Sequence, residues 1–372
     1  MRKLLHIGIG IAVLLFAAAC TRVEDPDVVL KVYLNIPELG LTKTDPGEVA
    51  AETINERSIK DLKFWVFLHG STGSFSDGHK MGFKQVSDYT YSGATEFTIP
   101  LDKKSARVAN LVDVYILANA PSVNMSALDE NTSRSDLDAL VLNGTIFGRS
   151  ASGAPSVTEA GLDGLPYSAV GKALPLTDEY PTLSVNAMQL KRAVSRVQFI
   201  FSKSSKSQKT FAVTGLQLDG KTIAYEECVF NDSANPYKIV GDASADASYV
   251  LEPITLATPT SINGCEDPAD YAYTSTQTGT EYRTLINTGI TNNKLTKGAT
   301  CYLRESARPL SGKIQYTIDG TAGEASFNMQ PTEVFSRNRS WIVYIYFYDD
   351  DIRLSVSWTG WTDGFEKELN AQ

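Results

Sequence analysis

The chain has 372 residues, of which 42% are hydrophobic and 21% are charged, and this mixture excludes a disordered or fibrous low-complexity protein. Its formal net charge of -9 argues against a nucleic-acid binder, which needs Lys and Arg clustered on one face. With 3 His and 4 Cys, the chain has few side chains for a metal site or for His-based catalysis. The length predicts about two domains, each able to bury its own core.

The N-terminal segment has the pattern of an export signal. Two basic residues, an apolar run over residues 4–16 and three Ala residues lead directly into Cys20. The apolar run is too short for an ordinary membrane-spanning helix. The pattern resembles a bacterial lipobox, in which residues 1–19 are removed and Cys20 is acylated, with palmitate among the chains that anchor it in the outer membrane. The alternative is an ordinary secretory signal with an incidental Cys.

A short acidic segment follows the lipobox. Residues 20–27 contain three carboxylates and a Pro, a composition that does not pack into a core and therefore predicts a tether. An acidic patch at this place resembles the surface-export signal of lipoproteins in the Bacteroidetes. The alternative is a plain solvated linker.

Hydrophobic alternation predicts that nearly all of the remaining chain is β. In residues 28–36 one face carries Val28, Leu30, Val32, Leu34 and Ile36, which predicts a half-buried strand. Further strands are predicted over residues 62–68, 96–101, 108–118, 193–201, 211–218, 249–256, 313–318, 325–329 and 341–347. A single helix is predicted in the first half, over residues 136–142, with Ser133 or Ser135 as its N-cap.

The last predicted strand alternates as clearly as the first one. It places Ile352, Leu354, Val356 and Trp358 on one face. A Pro-containing stretch favours a domain boundary near Thr182, so we predict an all-β chain with one β-sandwich over residues 28–182 and a second over residues 183–372.

The sequence contains no motif for catalysis. G-x-S-x-G, H-E-x-x-H, the Walker loop and G-x-G-x-x-G after a strand are all missing, so we predict a protein that is not an enzyme and that needs no cofactor or metal. We interpret His69 and His79 as solvated loop residues. Cys228, Cys265 and Cys301 allow either one disulfide with an odd thiol or three buried free thiols.

Several segments, taken in order, resemble a known family. Behind the lipobox come IKDLKFWVF at residues 59–67, VYILANAP at 114–121, LKRAVSRV at 190–197, FSRNRSW at 335–341 and LSVSWTGW at 354–361. This ordered set resembles the fimbrillin family of Bacteroidales, the FimA/Mfa-like lipoprotein subunits of type V pili. The resemblance spans essentially the whole chain.

The resemblance implies two transthyretin-like β-sandwich domains in tandem and a structural role in a cell-surface fimbrium that supports adhesion. A trypsin-like surface protease is expected to cut after the first strand, whose inward residues Val28 to Ile36 then leave. The C-terminal strand of the next subunit, with Ile352, Leu354, Val356 and Trp358 as anchors, is expected to fill the groove. The implied partners are other pilin subunits, the outer membrane, the protease and an adhesion ligand on a host or bacterial surface.

The sequence departs from the family pattern at the cut site. The family favours Arg there, whereas this chain offers Lys43, and the next basic residue is Arg57. Three alternatives therefore stay open: an uncleaved pilus anchor, a tip subunit, or a surface lipoprotein that binds carbohydrate through some of its aromatic residues. Residues 352–358 could also simply complete their own domain.

Overall fold

A computed structural model gives the conformation of most of the chain after the tether. It describes residues 26–35, 59, 61–87, 89, 95–119, 128–142, 148–149, 155–156, 165–218, 226–230, 239–240, 260–303, 310–329, 337–349 and 351–360. These residues form mostly β-strands that are arranged in several sheets, so the predicted all-β fold class is confirmed. Within them, no helix combines the length and the apolar composition needed to cross a membrane.

The strands and helices have the following bounds. The first half contains β1 (Val29–Asn35), β2 (Leu62–Leu68), β3 (Lys80–Val86), β4 (Thr95–Pro100), β5 (Leu111–Ala118), β6 (Val141–Leu142), β7 (Gly148–Arg149), β8 (Pro155–Ser156), β9 (Tyr167–Pro175), β10 (Thr182–Gln189) and β11 (Lys191–Arg192). The second half contains β12 (Ser195–Ser204), β13 (Phe211–Leu218), β14 (Glu226–Cys228), β15 (Ile239–Val240), β16 (Thr260–Ser261), β17 (Gly264–Cys265), β18 (Thr296–Leu303), β19 (Leu310–Ile318), β20 (Thr321–Met329), β21 (Arg339–Tyr348) and β22 (Asp351–Gly360). The helices are α1 (Lys103–Ala106), α2 (Arg134–Asp138) and α3 (Gly279–Thr291), with a 3-10 turn at Pro268–Tyr271.

Two sheets enclose the core of the first half. A three-stranded sheet in the order β10-β1-β4 faces a five-stranded sheet in the order β11-β9-β5-β2-β3. Phe64 of β2 and Phe97 of β4 join the two sheets with ring centroids 4.8 Å apart. The sheets also meet along one side, where Gly82 bridges to Leu101 and a Cβ at Gly82 would come within 2.5 Å of the Pro100 carbonyl oxygen. This side of the sandwich therefore requires glycine.

β2 is buried on both of its faces, and six of its seven residues are apolar, with Lys63 as the exception. Its outer face lies under residues 128–142, where the Lys63 Nζ donates to the Leu128 carbonyl at 2.7 Å and the Trp65 Nε1 donates to the Asp129 carbonyl at 2.8 Å. Residues from the second half contribute as well, since the Phe230 ring packs edge-on against Tyr115 of β5 at 5.1 Å.

The second half also contains two facing sheets. One sheet has the order β17-β12-β21-β22, with β18 paired to β12, and the other has the order β16-β13-β19-β20. Aromatic rings fill the space between them, with Phe199 at 6.1 Å from Phe327 and Phe211 at 5.3 Å from Phe347.

The opposite face of β21 packs against α3 and the 3-10 turn. Ile342 and Tyr344 belong to a buried cluster with Tyr282 and Ile286 of α3. The sequence prediction missed α3, although Thr278 forms a complete capping box with Glu281 at its N-terminus. This helical layer explains how β21 can be apolar on both faces.

The helix of the first half and the boundary between the two halves differ in detail from the sequence predictions. The helix predicted over residues 136–142 begins at Arg134 after the predicted N-cap Ser133, but it ends at Asp138, so its C-terminal part was wrong: residues 141–142 pair with β14 instead. β10 and β11 pair with β1 and β9, so the change from one set of sheets to the next comes after Arg192. The tandem division at Thr182 and the transthyretin-like topology stay predictions, and the strand predicted over residues 249–256 lies outside the described residues.

Candidate functional site

β1 is the middle strand of its sheet. It runs antiparallel to β4 in an unbroken register, from Val29 opposite Pro100 to Leu34 opposite Thr95. On its other side it runs parallel to β10, with a register shift between Val32 and Leu34. In the described part of the chain, β4 and β10 join this sheet only through β1. We call the space that β1 fills between β4 and β10 the β1 slot.

The inward side chains of β1 fill closed sockets in the slot. Val28, Leu30, Val32 and Leu34 are each at most 2% exposed, which confirms the burial that their alternation predicts. Such a side chain contributes about 1.5–3 kcal/mol when it is fully buried. Burial of these four side chains is therefore a large part of what holds β1 in the slot.

Each central socket has two walls that come from distant parts of the sequence. Leu30 lies between Ile99 of β4 and Leu183 of β10 in the strand register. Val32 lies in the same way between Phe97 and Val185. All four wall residues are buried. The sockets thus exist only when β4 and β10 lie on either side of the slot.

The outward face of β1 is polar and accessible. The Lys31 Nζ lies 3.0 Å from the Glu96 carboxylate of β4, and Tyr33 is 40% exposed. The hydrogen bond to Glu96 raises the pKa of Lys31 above its ordinary value. Because exposed ion pairs contribute little to stability, β1 is held mainly by burial of its inward side chains and by its backbone hydrogen bonds to β4 and β10.

β22, which contains the predicted donor residues, lies at the edge of its own sheet. Its backbone pairs antiparallel with β21 over its full length, from Asp351 opposite Tyr348 to Gly360 opposite Arg339. Ile352, Leu354, Val356 and Trp358 are all within this extended segment, which thus completes a sheet of its own half. In the described residues, β22 has β21 as its single strand neighbour, so its other edge carries no ladder.

The turn between β21 and β22 is tied down on the β21 side. The Tyr348 hydroxyl donates to the Asp267 carboxylate at 2.7 Å. Partial burial of the hydroxyl and this hydrogen bond together raise the pKa of Tyr348 to about 12. The Lys209 Nζ donates to the Asp349 carbonyl at 3.1 Å, and the Ser207 hydroxyl donates to the Asp349 carboxylate. These bonds fix the chain just before the point where β22 begins.

His69 is a loop residue with a side chain that is 37% exposed, as predicted, but it is also paired with a buried carboxylate. Its Nδ1 lies 2.8 Å from the carboxylate of Asp113, which is buried in β5. Asp113 also accepts from the Arg134 guanidinium at 2.8 Å and from the Ala173 backbone N–H at 2.9 Å. Arg134 bonds Asp77 in turn, and this bond lowers the pKa of Asp77 to about 2.

This network joins four segments that lie far apart in the sequence, which is why the sequence alone does not reveal it. The Arg134 guanidinium bridges the carboxylates of Asp77 and Asp113, so we assign the network the role of holding the loop after β2 and helix α2 against β5. Among the described residues, no group of three or more His, Cys, Asp or Glu side chains is arranged to hold a metal ion.

The other predicted site residues give a mixed result. Cys20, Ile36, Lys43 and Arg57 lie outside the described residues. Cys265 is a buried free thiol, and burial raises its pKa. The side chains of Cys228 in β14 and Cys301 in β18 lie outside the described part, so the choice between one disulfide and three thiols stays open.

Comparison with solved structures gives the fold an independent check. A candidate cell adhesion protein from Parabacteroides distasonis is 13% identical, with a TM-score of 0.50 over 89% of this chain and 96% of that one. The fold is shared with that protein. The tip fimbrial protein Mfa3 from Porphyromonas gingivalis is 14% identical, with a TM-score of 0.49 over 90% of this chain and 100% of that one. The fimbrillin FimA from Porphyromonas gingivalis is 12% identical, with a TM-score of 0.48 over 90% and 98%.

The structural neighbours of this chain are therefore fimbrial and cell-adhesion proteins of Bacteroidales, which agrees with the resemblance found in its sequence. No protein-family model and no curated protein matches the chain.

The sockets can be tested by comparing an inward and an outward residue of β1. Leu30→Ala should lower the free energy of unfolding by about 3 kcal/mol, because it removes a fully buried side chain and leaves a cavity. Tyr33→Ala, on the outward face, should lower it by less than about 1 kcal/mol. Urea unfolding of the uncut chain measures both values, and equal losses would contradict the slot as described.

Proposed function

We propose that this protein is a structural subunit of a cell-surface pilus, and that it polymerises when the β1 of one subunit is replaced by the β22 segment of the next. The observation that carries the proposal is the central place of β1 in its sheet. Once β1 leaves, the described parts of β4 and β10 lose their shared ladder partner, and the four inward sockets open. The fold shared with the adhesion protein from Parabacteroides distasonis supports this assignment.

Proteolysis supplies the trigger in this proposal. The chain is exported as a lipoprotein on Cys20, and a surface protease cuts after Lys43 or Arg57. Both residues lie between β1, which ends at Asn35, and β2, which begins at Leu62. A cut at either place therefore separates β1 covalently from every other strand that the structure describes.

The energetics then favour exchange over simple loss. An empty slot exposes apolar sockets and unpaired backbone N–H and C=O groups on both neighbouring strands, which is costly. A strand from a second subunit restores the ladders and refills the sockets by β-augmentation. Cleavage alone leaves β1 in place, so polymerisation depends on the arrival of the donor.

The positions of donor and slot favour a filament. The slot belongs to sheets of the first half, whereas β22 is the edge strand of a sheet of the second half. A contact between two different surfaces of the same chain is head-to-tail, and such contacts generate open filaments when the rotation does not close. The chain would thus need no catalytic group of its own.

An uncleaved anchor is the second candidate, and it is favoured by the presence of Lys43 where the family pattern has Arg. The family pattern has Arg at the cut site, so a protease specific for Arg would leave this chain and its lipid intact. N-terminal sequencing of assembled material separates the two candidates. A start at Thr44 or Ser58 supports the processed subunit, whereas acylated Cys20 in all assembled material contradicts it and supports the anchor.

Removal of the donor tests the proposed function. A chain that ends at Asp351 should lose polymers, seen as a ladder of multimers on gels, by more than about tenfold. The matched control ends at Trp361 and keeps β22, and it should polymerise normally. Because truncation also uncovers one edge of β21, the full-length Val356→Asp variant provides a second test with the same expected loss.

Circular dichroism should show that the monomers stay folded in all three variants. If the chain ending at Asp351 folds and still forms polymers, the donor is not β22 and the proposed mechanism is wrong. A surface lipoprotein that binds carbohydrate would instead remain monomeric in every variant and would bind to a glycan array.

A further inference from the structure

The sizes of the sockets in the β1 slot restrict the direction and the register in which a donor strand can enter. Resting on the proposed function, we infer that the donor enters in the same N-to-C direction as β1, with Leu354 in the socket of Leu30 and Val356 in the socket of Val32. The donor is then antiparallel to β4 and parallel to β10, as β1 itself is.

The two central sockets differ in size. Leu30 and Val32 are both 0% exposed, so neither socket has spare space that opens to solvent. The socket of Val32 is bounded by the large ring of Phe97, which is itself held against Phe64 at 4.8 Å. A Leu at the place of Val32 would therefore overpack, and a Val at the place of Leu30 would leave a void.

The donor residues match these sockets in one order. In the inferred register, Ile352, Leu354, Val356 and Trp358 take the places of Val28, Leu30, Val32 and Leu34, so both central residues are identical to the ones they replace. The reverse direction puts Val356 in the larger central socket and Leu354 in the smaller one. A forward slip by two residues again forces Leu354 into the smaller socket.

The two outer sockets favour the same direction. In the inferred register the bulky Trp358 replaces Leu34, which lies beside Met188 at the end of the slot. Met is flexible and fills irregular space, so this end adapts to a larger ring. The reverse direction would place Trp358 at the position of Val28, which is as closed as Leu34 (2% and 1% exposed) and whose carbonyl accepts a hydrogen bond from the Leu101 N–H at 2.9 Å, so the flexible Met188 is what distinguishes the two ends.

One interaction favours the opposite direction, and it is weaker. Reversed entry would place Arg353 opposite Glu96, whereas the inferred register places Ser357 there. Glu96 is exposed, and an exposed ion pair changes an equilibrium by at most about fivefold. Overpacking a closed socket changes it by about tenfold to a hundredfold. The sockets therefore decide the direction.

Disulfide crosslinking between pairs of introduced cysteines can determine the direction of the donor strand in polymers formed by the full chain. With Ser357→Cys and Glu96→Cys, the inferred register places the two thiols opposite each other across the donor and β4, so a disulfide ladder should form. Arg353→Cys with Glu96→Cys crosslinks only in the reverse direction. Ser355→Cys with Thr98→Cys is the matched control, since those positions oppose each other in both directions.

Each pattern of crosslinks has a definite meaning. Disulfides from the Ser357 and Ser355 pairs together, with none from the Arg353 pair, support the inference. A disulfide from the Arg353 pair, or from Ser355→Cys with Glu96→Cys, overturns the inferred direction or register but leaves strand exchange standing. Polymers without any of these crosslinks overturn both the inference and the assignment of β22 as donor.

A residue swap provides a second readout without cysteines. The double variant Leu354→Val and Val356→Leu keeps the composition of the donor but exchanges its two central residues. It should slow polymerisation by about tenfold if the inferred register is right, because Leu then enters the socket of Val32. Equal or faster polymerisation, with an unchanged melting temperature of the monomer, would overturn the inference.

Discussion

The fold depends on one constraint, which is that β1 is a middle strand rather than an edge strand. It supplies the hydrogen-bond partner for β4 on one side and for β10 on the other. Its inward side chains also close the core between two sheets. A strand in this position cannot leave without a substitute, and a substitute must satisfy two backbone ladders and a row of sockets at once. This requirement makes the site specific for a strand that meets both demands.

Other layers cover the outer faces of the two large sheets without contribution from β1. β2 is covered on its outer face by residues 128–142, Phe230 packs against Tyr115 of the neighbouring β5, and the Asp113 network holds the segment over β2 through Arg134. In the second half, α3 covers the face of β21 that does not contact the facing sheet. These layers bury the outer faces of the large sheets, whereas the inward face of β2 shares one core cluster with β1, so the strand that replaces β1 must refill that core.

The sequence predicts the strands that alternate or are almost wholly apolar, and it fails where neither pattern is present. β1, β2, β21 and β22 were predicted because their hydrophobic periodicity is simple. β10 was missed because polar residues such as Asn186 interrupt it, and α3 was missed because its many Thr residues favour strands over helices. The capping box at Thr278 is the signal that could have revealed the helix.

The sequence also predicts only one part of the candidate site. Alternation alone identifies the inward residues of β1, but Leu183 and Val185 lie more than a hundred residues further along the chain. No local pattern indicates that these residues form socket walls, because their place follows from the pairing of β1 with β10. The order of socket sizes, and with it the direction of the donor, becomes visible only when this pairing is known.

The structure of the assembled polymer, determined by electron cryomicroscopy, tests the central claim most directly. We expect the strand between Thr95–Pro100 and Thr182–Gln189 of each subunit to carry the side chains of Asp351–Gly360 from its neighbour. A polymer in which every subunit keeps its own Val29–Asn35 in that place, and contacts its neighbours elsewhere, would contradict strand exchange.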